Sequence, residues 1–478
     1  MKITCTKLLQ TGAYINGKWI PTTDTYDVIN PSTLKNITNV SFCGKKECIN
    51  AINSAINTFK SFKYTSFQER SNVLAKMGEL MLQHKNDLAT ILTTEQGKPF
   101  AEAIGEVIYA ASFFTWFAEE AKRIYGDIIQ TTIPNTKILI NKEPVGVVAA
   151  ITPWNFPLAM LTRKAGAAIA AGCTLIWKPS EETPLSANAI AVISKMAGLP
   201  DGVLNIISGD AVAIGRTIIE SSDIKKITFT GSTKTGKLLL HGAANTIKRV
   251  SMELGGNAPF IVFSDADIDL AIDGAIASKF RNAGQTCISV NRFYIHNDIY
   301  DKFTKKLKKK VKELKVGDGF SNGVHIGPLI NDNAVKKVEA HITDALDKGA
   351  KLLCGGKSLG GRFFEPTVLV NMQQNMLIAT AETFGPVAAC FRFSTDDEVI
   401  TMANHTEFGL AAYFYSKDLN RIFKITEKLE YGMIGINETA ISNAYTPFGG
   451  IKESGFGREG SKYGIDDYLN IKYSYIKY

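Results

Sequence analysis

Cys287 ends the run Asn282-Ala283-Gly284-Gln285-Thr286-Cys287, and upstream a carboxylate, Glu253, stands inside Met252-Glu253-Leu254-Gly255-Gly256-Asn257. One thiol and one carboxylate, each set among glycines and small polar residues, suit a nucleophile and its base. Glycines let backbone amides approach a reacting atom closely. Asn282, Gln285 and Thr286 are costly to bury without partners, so this is a poor setting for inert core sulfur. A rigid amide is also present: Asn155 lies between aromatics and prolines in Thr152-Pro153-Trp154-Asn155-Phe156-Pro157, where it can either donate to a developing oxyanion or hold a structural turn.

Two further segments suggest a nucleotide. Phe229-Thr230-Gly231-Ser232-Thr233-Lys234-Thr235-Gly236-Lys237 reads as a strand end, a glycine turn and a helix start. Helix N-terminal amides with Gly231 and Ser232 can hold a phosphate there, although glycine turns also make ordinary connections and no GxGxxG follows the first strand. Lys178-Pro179-Ser180-Glu181 falls at a strand's carboxyl end, the edge at which open α/β sheets bind ligands. Glu181 can accept both hydroxyls of a ribose and repel a 2′-phosphate, or it can simply satisfy a helix dipole.

The elements that must position these groups follow from periodicity. Residues 45–125 are helical in pattern, with Ala51, Ile52, Ala55, Ile56 and Phe59 on one face and a second amphipathic stretch from Val73 to Leu92. Gly126 to Asn141 reads as two strands around Pro134-Asn135, a hairpin suited to subunit contacts. From 145 to 252 apolar runs alternate with helices: Val145 to Ile151, a helix Pro157 to Ala171, strand Cys173 to Trp177, a helix with Thr183 as N-cap and Pro184 first, strand Val203 to Ile207, and strand Lys226 to Phe229. Strands apolar throughout imply a parallel sheet covered on both faces. A second α/β segment spans about 255–450, and Ile465 to Tyr478 reads as a terminal strand.

The chain has 478 residues, too long for one ordinary core. Its net charge of +8 invites a nucleic-acid reading, but Leu307, Val311 and Leu314 recur at helical spacing through the lysines of 305–312. That run is a solvated helix face, and no aromatics interleave with it as base stacking would need. Seven cysteines without a CxxC pair fit a reducing, cytoplasmic compartment. Six scattered histidines lack metal-site spacing, so no metal is expected, and no apolar stretch reaches signal-core or membrane-spanning length.

Taken in order, Thr152 to Pro157, Lys178 to Pro184, Phe229 to Gly236, Glu253 to Asn257, Gly284 to Cys287, Glu382 to Pro386 and Pro447 to Gly450 resemble the aldehyde dehydrogenase superfamily over nearly the whole chain. The resemblance implies that Cys287 attacks the aldehyde, that Asn155 and the Cys287 backbone amide hold the oxyanion, and that Glu253 activates water to hydrolyse the thioester. It also implies an NAD site, with NADP as the alternative cofactor. Lys178, Glu181 and Ser232 would bind the adenosine half and Glu382 with Phe384 the nicotinamide ribose, with Trp154, Ser180 and Gly231 completing the cofactor set.

The expected architecture is α/β: a Rossmann-like parallel-sheet cofactor domain at 1–125 and 142–252, a second α/β catalytic domain at 253–450, and a small β oligomerisation element at 126–141 and 462–478. A homo-oligomer, dimer or tetramer, is expected, with no nucleic-acid or membrane partner.

Gly256 to Phe263, Phe280-Arg281-Asn282, Thr162-Arg163-Lys164 and Gly457 to Gly464 are similar to the succinate-semialdehyde dehydrogenase branch. That branch clamps a substrate carboxylate with two arginines and a serine, which map to Arg163, Arg281 and Ser442; Phe156 and Phe448 would line the channel to the thiol. A guanidinium suits a carboxylate geometrically. Some members of the branch carry Cys-x-Cys at the nucleophile as a redox switch, whereas position 289 here is serine. The alternatives are a dehydrogenase of glutarate semialdehyde or another aldehyde, and a non-catalytic scaffold, which would be expected to lose Cys287 or Glu253.

Overall fold

A computed structural model describes residues 2–478. Its first sheet has eight strands in the spatial order Lys18–Ile20, Ala13–Ile15, Leu204–Ile206, Thr174–Lys178, Val147–Ile151, Ile224–Thr230, Arg249–Glu253 and Gly455–Phe456. The five from Leu204–Ile206 to Arg249–Glu253 are parallel. Within the parallel part the chain starts at the middle strand, Val147–Ile151, winds outward one way, then returns to wind the other way. The order therefore reverses between Val147–Ile151 and Ile224–Thr230, and in an open α/β sheet the crevice at such a reversal is where ligands bind.

Helices cover this sheet as the apolar runs require. Pro157–Ala171 is buried along its whole length. The amphipathic stretch expected over 73–92 is two helices, Phe67–Gln83 and Lys85–Gln96, meeting at His84. Thr183 does occupy the N-cap of Pro184–Met196, but its hydroxyl makes no cap bond. The fully buried Glu95 instead accepts from the amides of Leu185 (2.8 Å) and Ser186 (2.7 Å), satisfying donors that the helix start leaves open.

The second sheet has seven strands, ordered Lys351–Cys354, Thr367–Val370, Val387–Phe393, Val290–His296, Ala258–Val262, Ala411–Tyr415 and Met433–Ile436; Lys351–Cys354 runs antiparallel to its neighbour at the edge. The lysine-rich run forms the outer face of Tyr300–Lys312, whose Phe303, Leu307 and Val311 are buried.

A third, antiparallel sheet joins Asp127–Gln130, Thr136–Pro144 and Leu469–Lys477. Its second strand continues three residues past the expected limit at 141. The terminal strand starts later than expected because Tyr463–Tyr468 forms 3-10 turns. Gly455–Phe456 returns to the first sheet, pairing Gly455 with Glu253. Only glycine fits there: φ is +104°, and a Cβ would lie 1.9 Å from the Met252 carbonyl. No helix among the described residues is long and apolar enough to cross a membrane.

Candidate active site

The loop that leads to Cys287 is held in an unfavourable backbone conformation. Asn282, Ala283 and Gly284 have φ of +51°, +55° and +75°, and such left-handed non-glycine residues cost about 1–3 kcal/mol each unless their surroundings fix them. Here the fixing is polar. The Asn282 amide donates to Glu102 Oε2 (2.9 Å), its Oδ1 accepts from Gln96 (2.9 Å), and its Nδ2 donates to the Asn155 and Gln285 carbonyls at 3.1 and 3.2 Å. Gln285 in turn accepts from the Ile330 amide (2.9 Å). A Cβ on Gly284 would lie 2.2 Å from the Gly385 carbonyl, so the loop closes only with glycine there.

Asn155 follows the central strand and shares this network. Its Oδ1 accepts from the Phe156 amide (3.1 Å) and its Nδ2 donates to the Gln285 carbonyl (3.0 Å). These two bonds fix which way the amide faces and leave one Nδ2 hydrogen to donate. The Asn155 carbonyl accepts from Lys98 Nζ (2.7 Å), and that buried ammonium also pairs with Glu106 and stacks 3.8 Å from the Phe156 ring. Glu106 accepts from the Leu158 amide (2.9 Å), anchoring the start of Pro157–Ala171.

Glu253 ends the strand Arg249–Glu253, and neither of its carboxyl oxygens has a hydrogen-bond partner among the described residues. Burial, then the nearby charge of Glu459, raises its pKa well above the ordinary 4.5; Lys164, Arg163 and Arg458 oppose the rise. The Cys287 thiol is pushed up to about 12, by burial first and then by Glu382, with Arg163 opposing. It therefore rests as the thiol and needs a base, or the field of a bound substrate and cofactor, to become nucleophilic.

Two cavities meet at Cys287, which lines both. The first, about 340 Å³, lies at the reversal point of the first sheet and is lined by Trp154, Asn155, Gly231, Ser232, Glu253, Glu382 and Phe384. Ser232 caps the helix Thr233–Ala243, accepting from the Thr235 amide, so the open amides of that helix start face a prospective phosphate. Glu382 accepts from the Gly256 amide (3.2 Å), and burial raises its pKa to about 7 against the pull of Lys337. Phe384, at φ +54°, packs edge-on to Trp154 with ring centroids 5.6 Å apart. Glu253 and Thr230 line this cavity with buried oxygens that lack partners. A helix-capped turn, a carboxylate and an aromatic pair fit a nicotinamide dinucleotide. Lys178, Ser180 and Glu181 stand at the carboxyl end of Thr174–Lys178, outside both cavity walls, with Lys178 ion-paired to Glu181.

The second cavity, about 290 Å³, is lined by Phe156, Arg163, Arg281, Ser442 and Phe448 together with Glu102, Glu106 and Tyr109. Its two arginines differ. Arg163 is buried, bonded to Glu459 (3.3 Å) and Tyr109, and stacked on Phe448 at 4.4 Å. Arg281 is exposed, stacks on Phe156 at 5.1 Å, and has no ion-pair or hydrogen-bond partner among the described residues. No cluster of three or more His, Cys, Asp or Glu suited to a metal occurs among the described residues.

Sequence reasoning missed Gln96, Lys98, Glu102, Glu106, Tyr109 and Lys337. Gln96 and Lys98 flank Gly97, which ends a helix whose last polar residues, Thr93 to Gln96, are all buried. A polar cluster at a helix end that ought to face the core was the available signal.

The aldehyde dehydrogenase family profile matches residues 19–474. The chain is 52% identical over 480 residues to the succinate-semialdehyde dehydrogenase [NADP(+)] of Escherichia coli (strain K12), covering 100% of both chains. It is 52% identical to a glutarate-semialdehyde dehydrogenase of Pseudomonas putida (strain KT2440), covering 99% of each. A crystal structure of succinate-semialdehyde dehydrogenase from Burkholderia pseudomallei superposes with a TM-score of 0.99 at 51% identity, covering 100% of both chains. With profile, sequence and fold in agreement over the full length, the chain belongs to the aldehyde dehydrogenase family.

Proposed function

We propose that this enzyme oxidises succinate semialdehyde to succinate with a nicotinamide dinucleotide, through a thioester on Cys287. The observation that carries the reading is the position of Cys287 between two cavities, with the base and cofactor groups on one side and the unpaired Arg281 on the other. The Cys287 thiol, favoured toward ionisation by Arg163, gives its proton to water; the thiolate adds to the aldehyde carbon, and Asn155 Nδ2 with the Cys287 amide donates to the resulting oxyanion. The bound nicotinamide supplies the hydride acceptor. Loss of hydride from the thiohemiacetal leaves a thioester. Glu253 takes a proton from water, the hydroxide adds to the acyl carbon, and the Cys287 thiolate leaves.

Arg281 is read as the direct partner of the substrate carboxylate, with Ser442 beside it and Phe156 and Phe448 walling the channel. Arg281→Ala should lower kcat/KM for the acid about tenfold to a hundredfold, since a charge-assisted hydrogen bond is worth about 1.5–3 kcal/mol, while an uncharged aldehyde of the same length loses far less. Equal losses for both aldehydes would remove the carboxylate from the account. Glutarate semialdehyde is a second reading, favoured by the Pseudomonas relative. One methylene is worth only about 1–3 kcal/mol of discrimination, so kcat/KM for the two acids orders them.

Glu181 supports NAD over NADP, although the Escherichia coli relative is named for NADP(+). Its carboxylate would accept the ribose hydroxyls and repel a 2′-phosphate, whereas its removal frees Lys178 from the ion pair. Glu181→Ala should move the NAD/NADP ratio of kcat/KM at least about tenfold toward NADP; an unchanged ratio would take Glu181 out of the cofactor site.

Residues 1–125 and 142–252 are read as the cofactor domain, 253–450 as the catalytic domain, and 126–141 with 462–478 as the oligomerisation element. The exposed Ile128, Ile471 and Tyr473 of the third sheet support the last of these. The seven free cysteines support a reducing, cytoplasmic setting.

A further inference from the structure

Two hydroxyls in the second cavity form a chain that begins at Arg163. Arg163 Nη2 donates to Tyr109 Oη, and Tyr109 Oη lies 2.5 Å from Ser442 Oγ. Both hydroxyls line the cavity that carries Arg281. A guanidinium can only donate, so one acceptor position of the Tyr109 oxygen is taken. The two hydroxyls own two protons, and the bond between them uses one. If Tyr109 donates to Ser442, the Ser442 proton points outward; if Ser442 donates, the Tyr109 proton does. In both arrangements one O–H of the pair is left free to donate at the cavity wall, and the cation behind it strengthens that donor by polarising the chain.

We propose that Tyr109 is a specificity-determining positioning residue, which relays the charge of Arg163 so that the Tyr109–Ser442 pair always presents a donor to the substrate carboxylate. Arg163, held by Glu459 and stacked on Phe448, lines the same cavity and polarises this pair, and Arg281 is the arginine left without a partner of its own. A carboxylate only accepts, so a fixed donor selects it over an uncharged chain end, which has no acceptor to match. This inference rests on the acid-aldehyde reading of the site.

The test is a double-mutant cycle of Tyr109→Phe and Ser442→Ala, assayed with succinate semialdehyde and with an uncharged aldehyde of equal length. Phenylalanine keeps the ring that packs against Phe113 with centroids 5.0 Å apart, and thermal unfolding of each variant checks the fold. The expected result for Tyr109→Phe is a fall in the acid-to-uncharged ratio of kcat/KM of about tenfold, carried by KM for the acid. Because the two hydroxyls act in series, the double variant should lose little more of that ratio than Ser442→Ala alone. A Tyr109→Phe enzyme with the wild-type ratio, or losses that multiply in the double variant, would overturn the relay while leaving the acid preference standing. A wild-type enzyme without acid preference would instead overturn the substrate reading, and the relay with it.

Discussion

Cys287→Ala should abolish NADH formation, with a loss on the order of 10⁴-fold or more, while cofactor binding survives. The loss is this large because every later step uses the sulfur: without it the aldehyde carbon never becomes the tetrahedral alkoxide from which hydride departs. Cofactor binding should persist because the groups that frame the first cavity, from Ser232 to Glu382, are anchored to the first sheet and to the Gly256 amide rather than to the thiol. The measurement is single-turnover absorbance at 340 nm beside a binding titration with NAD. Appreciable turnover in the alanine variant would end the covalent mechanism; loss of both turnover and binding would mean that the loop had collapsed.

Glu253→Gln should separate the two halves of the reaction. Glutamine cannot take a proton from water, and a general base is worth roughly 10²–10⁴ in rate, so the thioester forms and then persists. The expected trace is a burst of NADH approaching one equivalent per site, followed by a slow steady state. A pH dependence goes with it. Burial first, and then Glu459, raises the pKa of Glu253, so steady-state turnover should climb with pH as the carboxyl ionises. The glutamine variant should lack that limb.

The same group has an opposite effect on stability. Its folded pKa lies above its unfolded value, so the folded state binds more protons, and stability falls as pH rises from the unfolded pKa toward the folded one. Glu253→Gln should therefore unfold at a higher temperature than wild type in mildly alkaline buffer, with the advantage vanishing near pH 4. An unchanged steady state in this variant would point to another base.

How far the sequence revealed this site depended on whether a residue acts through its local neighbours. Cys287, Glu253 and Asn155 were legible because each sits in a short stretch of glycines, amides or prolines that a plain core would not use. The turn at Gly231 and Ser232 was legible from a strand meeting a helix. Lys98, in the turn after Lys85–Gln96, and Glu106 and Tyr109, on the helix Phe100–Glu120, were not, because their partners at Asn155, Leu158 and Arg163 are reached only through tertiary packing.

Thr183 shows the same limit at a helix start. Its position as N-cap could be read from Thr-Pro, but the groups that satisfy the helix amides belong to Glu95, far upstream. The two arginines illustrate it again. Sequence treated Arg163 and Arg281 alike, while packing commits the first to Glu459 and Tyr109 and leaves the second open.

The most direct measurement is peptide mapping by mass spectrometry of Glu253→Gln enzyme, quenched within the NADH burst after mixing with NAD and succinate semialdehyde. The account predicts an acyl group of the acid's mass on the peptide containing Cys287, in amount equal to the NADH formed. NADH released in the burst without that adduct, or with the acyl group on another residue, would contradict it.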